Sequence, residues 1–328
     1  MKVYIKDRKT FQLKAILDAY SYKLVKSIYT DLSELTTEYN ADITLNDVIY
    51  DNKGWIGLIE GLERDGDNLL NIKAGDISNL FSRKLIYISG DMKTTTEQTL
   101  RQAIVNYFVN ESDEVYALPF VNATAGTQTQ NTYPDLEEGL WSVRSYISKV
   151  RRLQSVYTEF SISGNALNVQ ILRKSLTPQK IFTTNRKLNI TEESFSNISV
   201  AKITAYTLET DPPTSTDYYL LANGNITTTY QATGRASGDW ECLKYEATDN
   251  VNDLVNSKFK ENSYSHKITF VTNEEEAIWN FYDPVIVEIR KQTYTSYIAK
   301  KIINDDGTIE YQCGELKTTL SDKINKYL

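Results

Sequence analysis

Polar and apolar residues alternate along much of this chain, and the alternation comes in short runs separated by turn residues. Residues 20–28, Tyr-Ser-Tyr-Lys-Leu-Val-Lys-Ser-Ile, hold a period of two over much of their length. A half-buried antiparallel strand requires that pattern. The opening from Val3 to Leu17 predicts a hairpin turning near Asp7 to Lys9, and residues 43–50 predict another strand. Residues 55–62 read as two short strands, Asp65-Gly66 as a turn, and residues 69–73 as a further strand. Gly75 is expected to break that strand, before a polar–apolar segment that ends on Leu80 and Phe81. About six short strands in the first ninety residues favour a small barrel or sandwich.

The period changes after Ser89-Gly90. Thr94 and Glu97 have the spacing of a capping box, and Leu100, Ala103, Ile104, Tyr107 and Phe108 follow as one helical stripe. Residues 122–132 are small and polar, which predicts a surface loop. Pro134 suits the first turn of a second helix, with Leu136, Leu140, Val143, Ile147 and Val150 as its stripe. Glu137 and Glu138 at its start, and Lys149, Arg151 and Arg152 at its end, complement the helix dipole. Residues 157–162 and 167–172 predict a hairpin turning at Ser163-Gly164-Asn165.

Farther on, residues 198–208 read as a strand, the stretch from Asp211 to Asp217 as an extended loop, and Asn223-Gly224 as a tight turn. Asp249 can cap a helix carrying Val251, Leu254, Val255 and Phe259. Strands resume at His266 and continue almost to the end. The resulting division is a first β-barrel module over 1–90, an α+β insertion over 91–185, a connecting β segment over 186–240 and a second β-barrel module over 241–328.

A repeat supports the pairing of the two outer modules. Residues 55–75 and residues 294–314 both run strand, Asp-Gly turn, strand, then Gly followed by an acid, Asp76 or Glu315. Each ends on a leucine five or six residues later, Leu80 or Leu320. The fold class expected is therefore mainly β: two related small β-barrel modules, a mixed α/β domain and a connector.

Composition narrows the function. A chain of 328 residues is long for one domain. A net charge of −7 without a Lys/Arg-rich block argues against sequence-specific nucleic-acid binding. The N-terminus is not a signal peptide, and no run of about 18 apolar residues exists, so synthesis in the cytoplasm and no membrane span are expected. Cys242 and Cys313 are expected as free thiols, and two Cys with one His cannot make an ordinary structural zinc site.

With that order of parts in hand, the chain resembles the baseplate-hub or tail-tip proteins of long-tailed bacteriophages. In phages of Gram-positive bacteria the tail-associated (Tal) proteins carry such a hub as their N-terminal region. The resemblance rests on the opening Val3-Tyr-Ile-Lys-Asp7, on Trp55-Ile-Gly-Leu-Ile-Glu-Gly61, and on Leu80-Phe81 closing the first module. His266-Lys-Ile-Thr-Phe270 and Gly314-Glu-Leu-Lys-Thr-Thr-Leu320 look similar to the family's C-terminal module.

The resemblance implies a structural virion protein of the tail tip: a homotrimer in which two modules per chain form a pseudo-sixfold ring. Such a ring would sit on a hexameric distal-tail or tail-tube protein, cap or gate the tube, and meet the tape-measure protein and fibre or receptor-binding proteins. Trp55, Gly57, Leu80, Phe81, Trp279, Tyr297 and Leu320 are the candidate interface residues. Because the chain stops eight residues after Leu320, hydrolase activity is expected to reside in another protein.

No catalytic signature competes. His266 is the only histidine and lies in an alternating strand with no adjacent acid. Nothing near either cysteine suggests an activated thiol. Glu274, Glu275 and Glu276 form a charge run, the Asp residues beside Gly66 and Gly307 suit turns, and no phosphate-binding or dinucleotide fingerprint is present. No enzyme, cofactor or metal is expected. One alternative is a receptor- or carbohydrate-binding virion protein, motivated by 23 Tyr and four Trp. Trp55 in a strand and Trp141 in a helix read as packing, whereas Trp240 and Trp279 read as exposed platforms. A cell-wall hydrolase, needing two carboxylates at a defined separation, is the other.

Overall fold

The computed structural model describes residues 1–27, 31–82, 84–88, 95–114, 117–126, 139–154, 156–173, 179–182, 189–195, 200–207, 209–210, 212–221, 225–231, 233–236, 239–246, 249–262, 266–273, 279–289 and 292–314. The chain is mainly β and forms two compact units. The first comprises Met1–Leu176, Thr272–Phe281 and Lys300–Glu310; the second comprises Thr177–Val271, Tyr282–Ala299 and Tyr311–Leu328.

In the first unit, β1 (Lys2–Lys6) and β2 (Leu13–Asp18) form the expected hairpin, with Asp7 Oδ1 accepting from the amides of Lys9 and Thr10. Next come β3 (Ser21–Ser27), β4 (Ser33–Glu38), β5 (Val48–Tyr50), β6 (Ile56–Arg64) and β7 (Leu69–Asp76). Their ladders give the order β3-β4-β7-β6-β5-β1-β2, with residues 300–304 beside β3. The sheet curls around Val3, Ile5, Leu35, Ile49, Ile59 and Ile72. It is open, and none of the described sheets closes into a barrel.

Residues 55–62 belong to one strand, not two, and Gly75 does not end β7: it pairs with Leu58 inside the ladder. The glycine is there for its missing side chain, since a Cβ would collide with Glu60 Oε1 and Asn79 Nδ2. A 3₁₀ turn over Ile77–Phe81, capped by Asp76 accepting from the Ser78 amide at 2.8 Å, then drives Leu80 and Phe81 inward.

The remainder of this unit holds β8 (Leu85–Ile88), α1 (Thr96–Ile104), β9 (Val121–Ala125), β10 (Gly139–Ser142), α2 (Val143–Gln154), β11 (Val156–Ser163) and β12 (Ala166–Arg173). Helix α1 is capped by Thr95, one residue later than the spacing of Thr94 predicts, and Thr94 lies outside the described residues. Glu97 does not reach back to the cap; it accepts from Arg173 Nε. A π turn at Val105–Val109 widens the helix, which leaves Tyr107 exposed while Leu100, Ala103, Ile104 and Phe108 stay buried.

Residues 121–125 are a strand, not loop, because β12 offers a parallel ladder for Val121 and Ala123 to bury against the helices. Helix α2 starts at Val143; Leu140 and Trp141 are in β10, which pairs with β8, so Trp141 is a strand residue. Pro134, Leu136, Glu137 and Glu138 lie outside the described residues. One core joins this region to the curled sheet, with Leu58, Phe81 and Ile86 packed alongside Leu100, Tyr146 and Val169.

The second unit contains β13 (Gln179–Phe182), β14 (Asn189–Phe195), β15 (Val200–Thr207), β16 (Ser215–Leu220), β17 (Ile226–Thr227), β18 (Asp239–Tyr245), α3 (Val251–Asn262), β19 (His266–Asn273) and β20 (Pro284–Ile289). The last strands are β21 (Gln292–Asn304) and β22 (Thr308–Cys313). β14 pairs antiparallel with β19, and β20 pairs with β13 and with the first part of β21. β15–β18 form a separate four-stranded sheet, with β18 parallel to β15. Helix α3 covers one face of it, burying Ile203, Ala205, Tyr218, Val255 and Phe259. Its cap is Asn250, which accepts from the Asp253 amide, not Asp249. Asn223-Gly224 and Glu274, Glu275 and Glu276 lie outside the described residues.

The two repeated segments agree in strand order and differ at their turns. In the first, Asp65 Oδ1 accepts from the amides of Asp67 and Leu69, and the left-handed residue is Asn68. In the second, Asp306 serves Thr308, and Gly307 is left-handed at φ 80°. Gly314 also differs from Gly75. Its φ is 71°, and a Cβ there would collide with the His266 carbonyl.

Candidate functional site

Six of the seven candidate interface residues are described, and all six are interior. Trp55 (3% exposed), Leu80 and Phe81 pack in the first unit, and Gly57 lets the Trp55 ring lie against β7. Trp279 is 7% exposed, contrary to its expected role as a platform, and its carbonyl accepts from Lys301 Nζ at 3.0 Å. Tyr297 is buried in the second unit and stacks on Tyr282 at 6.2 Å. Leu320 lies outside the described residues.

The first unit has a cleft of about 400 Å³ beside β6 and β7, with Asp31, Glu60, Asp76, Asn79 and Arg144 in its wall. The carboxylates are engaged in holding the fold. Glu60 accepts from Asn79 Nδ2 at 2.5 Å, Asp76 caps the 3₁₀ turn, and Asp31 accepts from Ser27 and pairs with Lys300 at 3.1 Å. No cluster of three metal-ligating side chains occurs among the described residues.

Of the groups weighed for catalysis, His266 and Cys313 are buried as well. His266 is 5% exposed, and burial pushes its pKa down to about 4, so the ring is neutral near pH 7. Its ring neighbour is Tyr294, at 5.4 Å. Burial pushes the Cys313 thiol up, away from thiolate, while Cys242 is exposed on β18.

What the surface offers instead is a set of exposed large apolar side chains. Leu13 and Ile16 project from β2, the end strand of its sheet, and Tyr20 and Leu45 belong to the same unit. On the β8–β10 ribbon, Tyr87 lies opposite Leu140 and both are exposed, as is Leu85. In the second unit Trp240 is 55% and Tyr230 61% exposed. The hydrophobic pattern did not single out β2 as an edge, because which strand ends a sheet depends on pairing distant in sequence.

No protein-family model matches the chain, and no curated protein matches it. Solved structures do match, over essentially the whole length. The chain is similar to one from the phage P2 baseplate in its activated conformation with Ca, at 12% identity and a TM-score of 0.52, covering 97% of this chain and 99% of that one. It is similar to the tail protein from Neisseria meningitidis MC58, at 10% identity and 0.55, covering 96% and 97%. It is also similar to prophage tail protein gp18 from Listeria monocytogenes EGD-e, at 14% identity and 0.55, covering 100% and 98%. The chain therefore has the fold of phage baseplate and tail proteins.

Proposed function

We propose that the protein is a structural component of a phage tail tip, a baseplate hub whose work is done by interfaces rather than bond-making chemistry. The observation that carries this reading is the likeness to a P2 baseplate chain along nearly the full length of both. In this reading three copies form a ring, and two β modules per chain supply six similar surfaces. That count lets a trimer sit on a sixfold distal-tail or tail-tube ring, where it caps or gates the channel. The tape-measure protein and fibre or receptor-binding proteins are its further neighbours.

The apolar residues exposed on β2 support this assignment, since an uncovered edge strand carrying Leu13 and Ile16 is a liability for a free monomer. Trp55, Gly57, Leu80 and Phe81 contribute from beneath by fixing the strands of the first unit, whereas Tyr297 belongs to the interior of the second. Light scattering tests the reading. The isolated chain is expected at three times the chain mass and, mixed with its distal-tail protein, at that mass plus the ring's; Leu13→Asp with Ile16→Asp is expected to shift the isolated chain toward monomer. A monomer that never joins the tail ring overturns the proposal.

A further inference from the structure

The face of the β15–β18 sheet opposite α3 carries a row of side chains that the hub reading does not use. Register places Tyr219 of β16, Lys202 of β15 and Trp240 of β18 side by side. Trp240 and Tyr219 are thus two strand spacings apart, roughly 10 Å, with the Lys202 ammonium between them. It lies 4.8 Å from the indole centroid and 5.6 Å from the phenol centroid. Beyond Tyr219 the alternation continues. The Arg235 guanidinium is 5.9 Å from the Tyr219 ring and 4.5 Å from the Tyr230 ring, and the two tyrosines meet edge-on at 5.7 Å.

Hydrogen bonds hold the row in place. Trp240 Nε1 donates to Thr204 Oγ1 at 2.8 Å, and Thr204 Oγ1 donates to Asp217 Oδ1 at 2.5 Å. The other carboxylate oxygen takes Lys202 at 2.8 Å and the Tyr219 hydroxyl at 3.2 Å. Asp217 therefore has donors on both oxygens already, and its pKa is lowered by Lys202, Thr204 and Tyr219 against the opposing effect of burial. The cations retain more donors than these bonds use, because an ammonium has three and a guanidinium five. Lys244 lies on the same face by strand alternation, two residues beyond Cys242. Among its described residues, the face thus sets Lys202, Arg235 and Lys244 beside the Asp217 carboxylate, on a chain whose net charge is −7.

We infer that this face binds a saccharide bearing phosphate or carboxylate groups. The exposed faces of Trp240 and Tyr230 offer flat apolar area for the C–H side of a sugar ring, and the unspent cationic donors fit its anionic substituent. Single-stranded nucleic acid fits less well. It calls for a longer run of free stacking faces in a basic groove than these two exposed rings provide. The inference is independent of the trimeric hub and survives its failure.

Titration calorimetry of the full chain tests it with four probes: phosphomannan, polygalacturonate, uncharged mannan and a twenty-residue oligodeoxythymidine. Phosphomannan or polygalacturonate is expected to bind, and mannan and the oligonucleotide at least about tenfold more weakly. Trp240→Ala is expected to weaken the charged glycan about tenfold, as loss of one stacking platform does, with Arg235→Gln acting in the same direction. Light scattering of both variants checks that assembly is unchanged. Equal binding of mannan, tighter binding of the oligonucleotide, no binding of either charged glycan, or full binding by both variants overturns the inference.

Discussion

Two mixed sheets in this protein share one plan: an antiparallel pair, a third strand added in parallel, and helix packed on one face. In the first unit β11, β12 and β9 are backed by α1 and α2; in the second β16, β15 and β18 are backed by α3. Their inner faces follow the same rule, with Val169 and Ile171 in one matched by Ile203 and Ala205 in the other. The outer faces diverge. On the first, Asn122, Asn168 and Ser161 form one row and Thr124, Gln170 and Glu159 the next, a solvated surface of small polar groups. On the second, the corresponding space holds Tyr219, Lys202 and Trp240. The inner face satisfies the demand of folding in both sheets, so the outer face is free to differ: there Tyr219 is covered by its neighbours while Trp240 stays exposed.

Substitutions at the two inner faces should have the largest effects. Phe259→Ala should cost about 3–5 kcal/mol and Leu100→Ala about 2–5 kcal/mol, read by denaturant unfolding, because each empties the contact between a helix and its sheet. A loss below about 1 kcal/mol at either site would mean that the helix is not what stabilises that sheet. Next comes a difference in burial, since the pair that links α3 to β18, Lys258 with Glu241 at 3.8 Å, is half-exposed. The first unit fastens β12 to α1 with Arg173 donating to Glu97, whose side chain is fully buried. Glu97→Ala should cost about 3 kcal/mol, and replacing both residues with leucine should restore much of it. An additive double variant would show that the pair is not coupled.

A smaller effect separates the units by pH. His266 titrates near 6.5 when unfolded and at about 4 when folded. The unfolded chain therefore binds more protons between those values, so stability is complete above 6.5 and declines as the pH falls toward 4. Protection of the β19 amides, after correction for the intrinsic pH dependence of exchange, should fall between pH 6.5 and 5, above the ordinary carboxylate range, while that of β11 and β12 in the histidine-free first unit holds steady. Loss of that difference in His266→Phe would assign it to the imidazole; its persistence would not. Smallest of all, Gln170→Ala and Trp240→Ala should each change unfolding free energy by about 0.5 kcal/mol or less, as exposed substitutions do. A large loss for Trp240→Ala would recast its ring as a packing element.

The β11–β12 hairpin could be read directly, because its alternation and its Gly164 turn are contiguous. β9 could not. Asn122-Ala-Thr-Ala looks like loop, and it becomes a strand only because β12 supplies a partner more than forty residues away. Leu140 fits a helical stripe by spacing and Trp141 follows it, yet β8 captures both as a ladder. Of the four tryptophans, Trp55 and Trp240 match their expected environments, one interior and one exposed. Trp279 does not, since burial of an isolated aromatic depends on what packs over it.

The sequence alone determined that the protein is built mainly of short strands interrupted by three helices. It determined the Asp-based turns and the absence of a recognisable catalytic motif. Those properties are local, set by periodicity, capping and turn chemistry over a few residues. Tertiary structure decided that the curled sheet is open, that Gly75 makes room for a hydrogen bond instead of ending a strand, and that most candidate interface residues lie inside. It also brought Trp240, Lys202 and Tyr219 into one row. Each of these depends on pairing between segments far apart in the chain, and such pairing leaves no periodic trace in either segment.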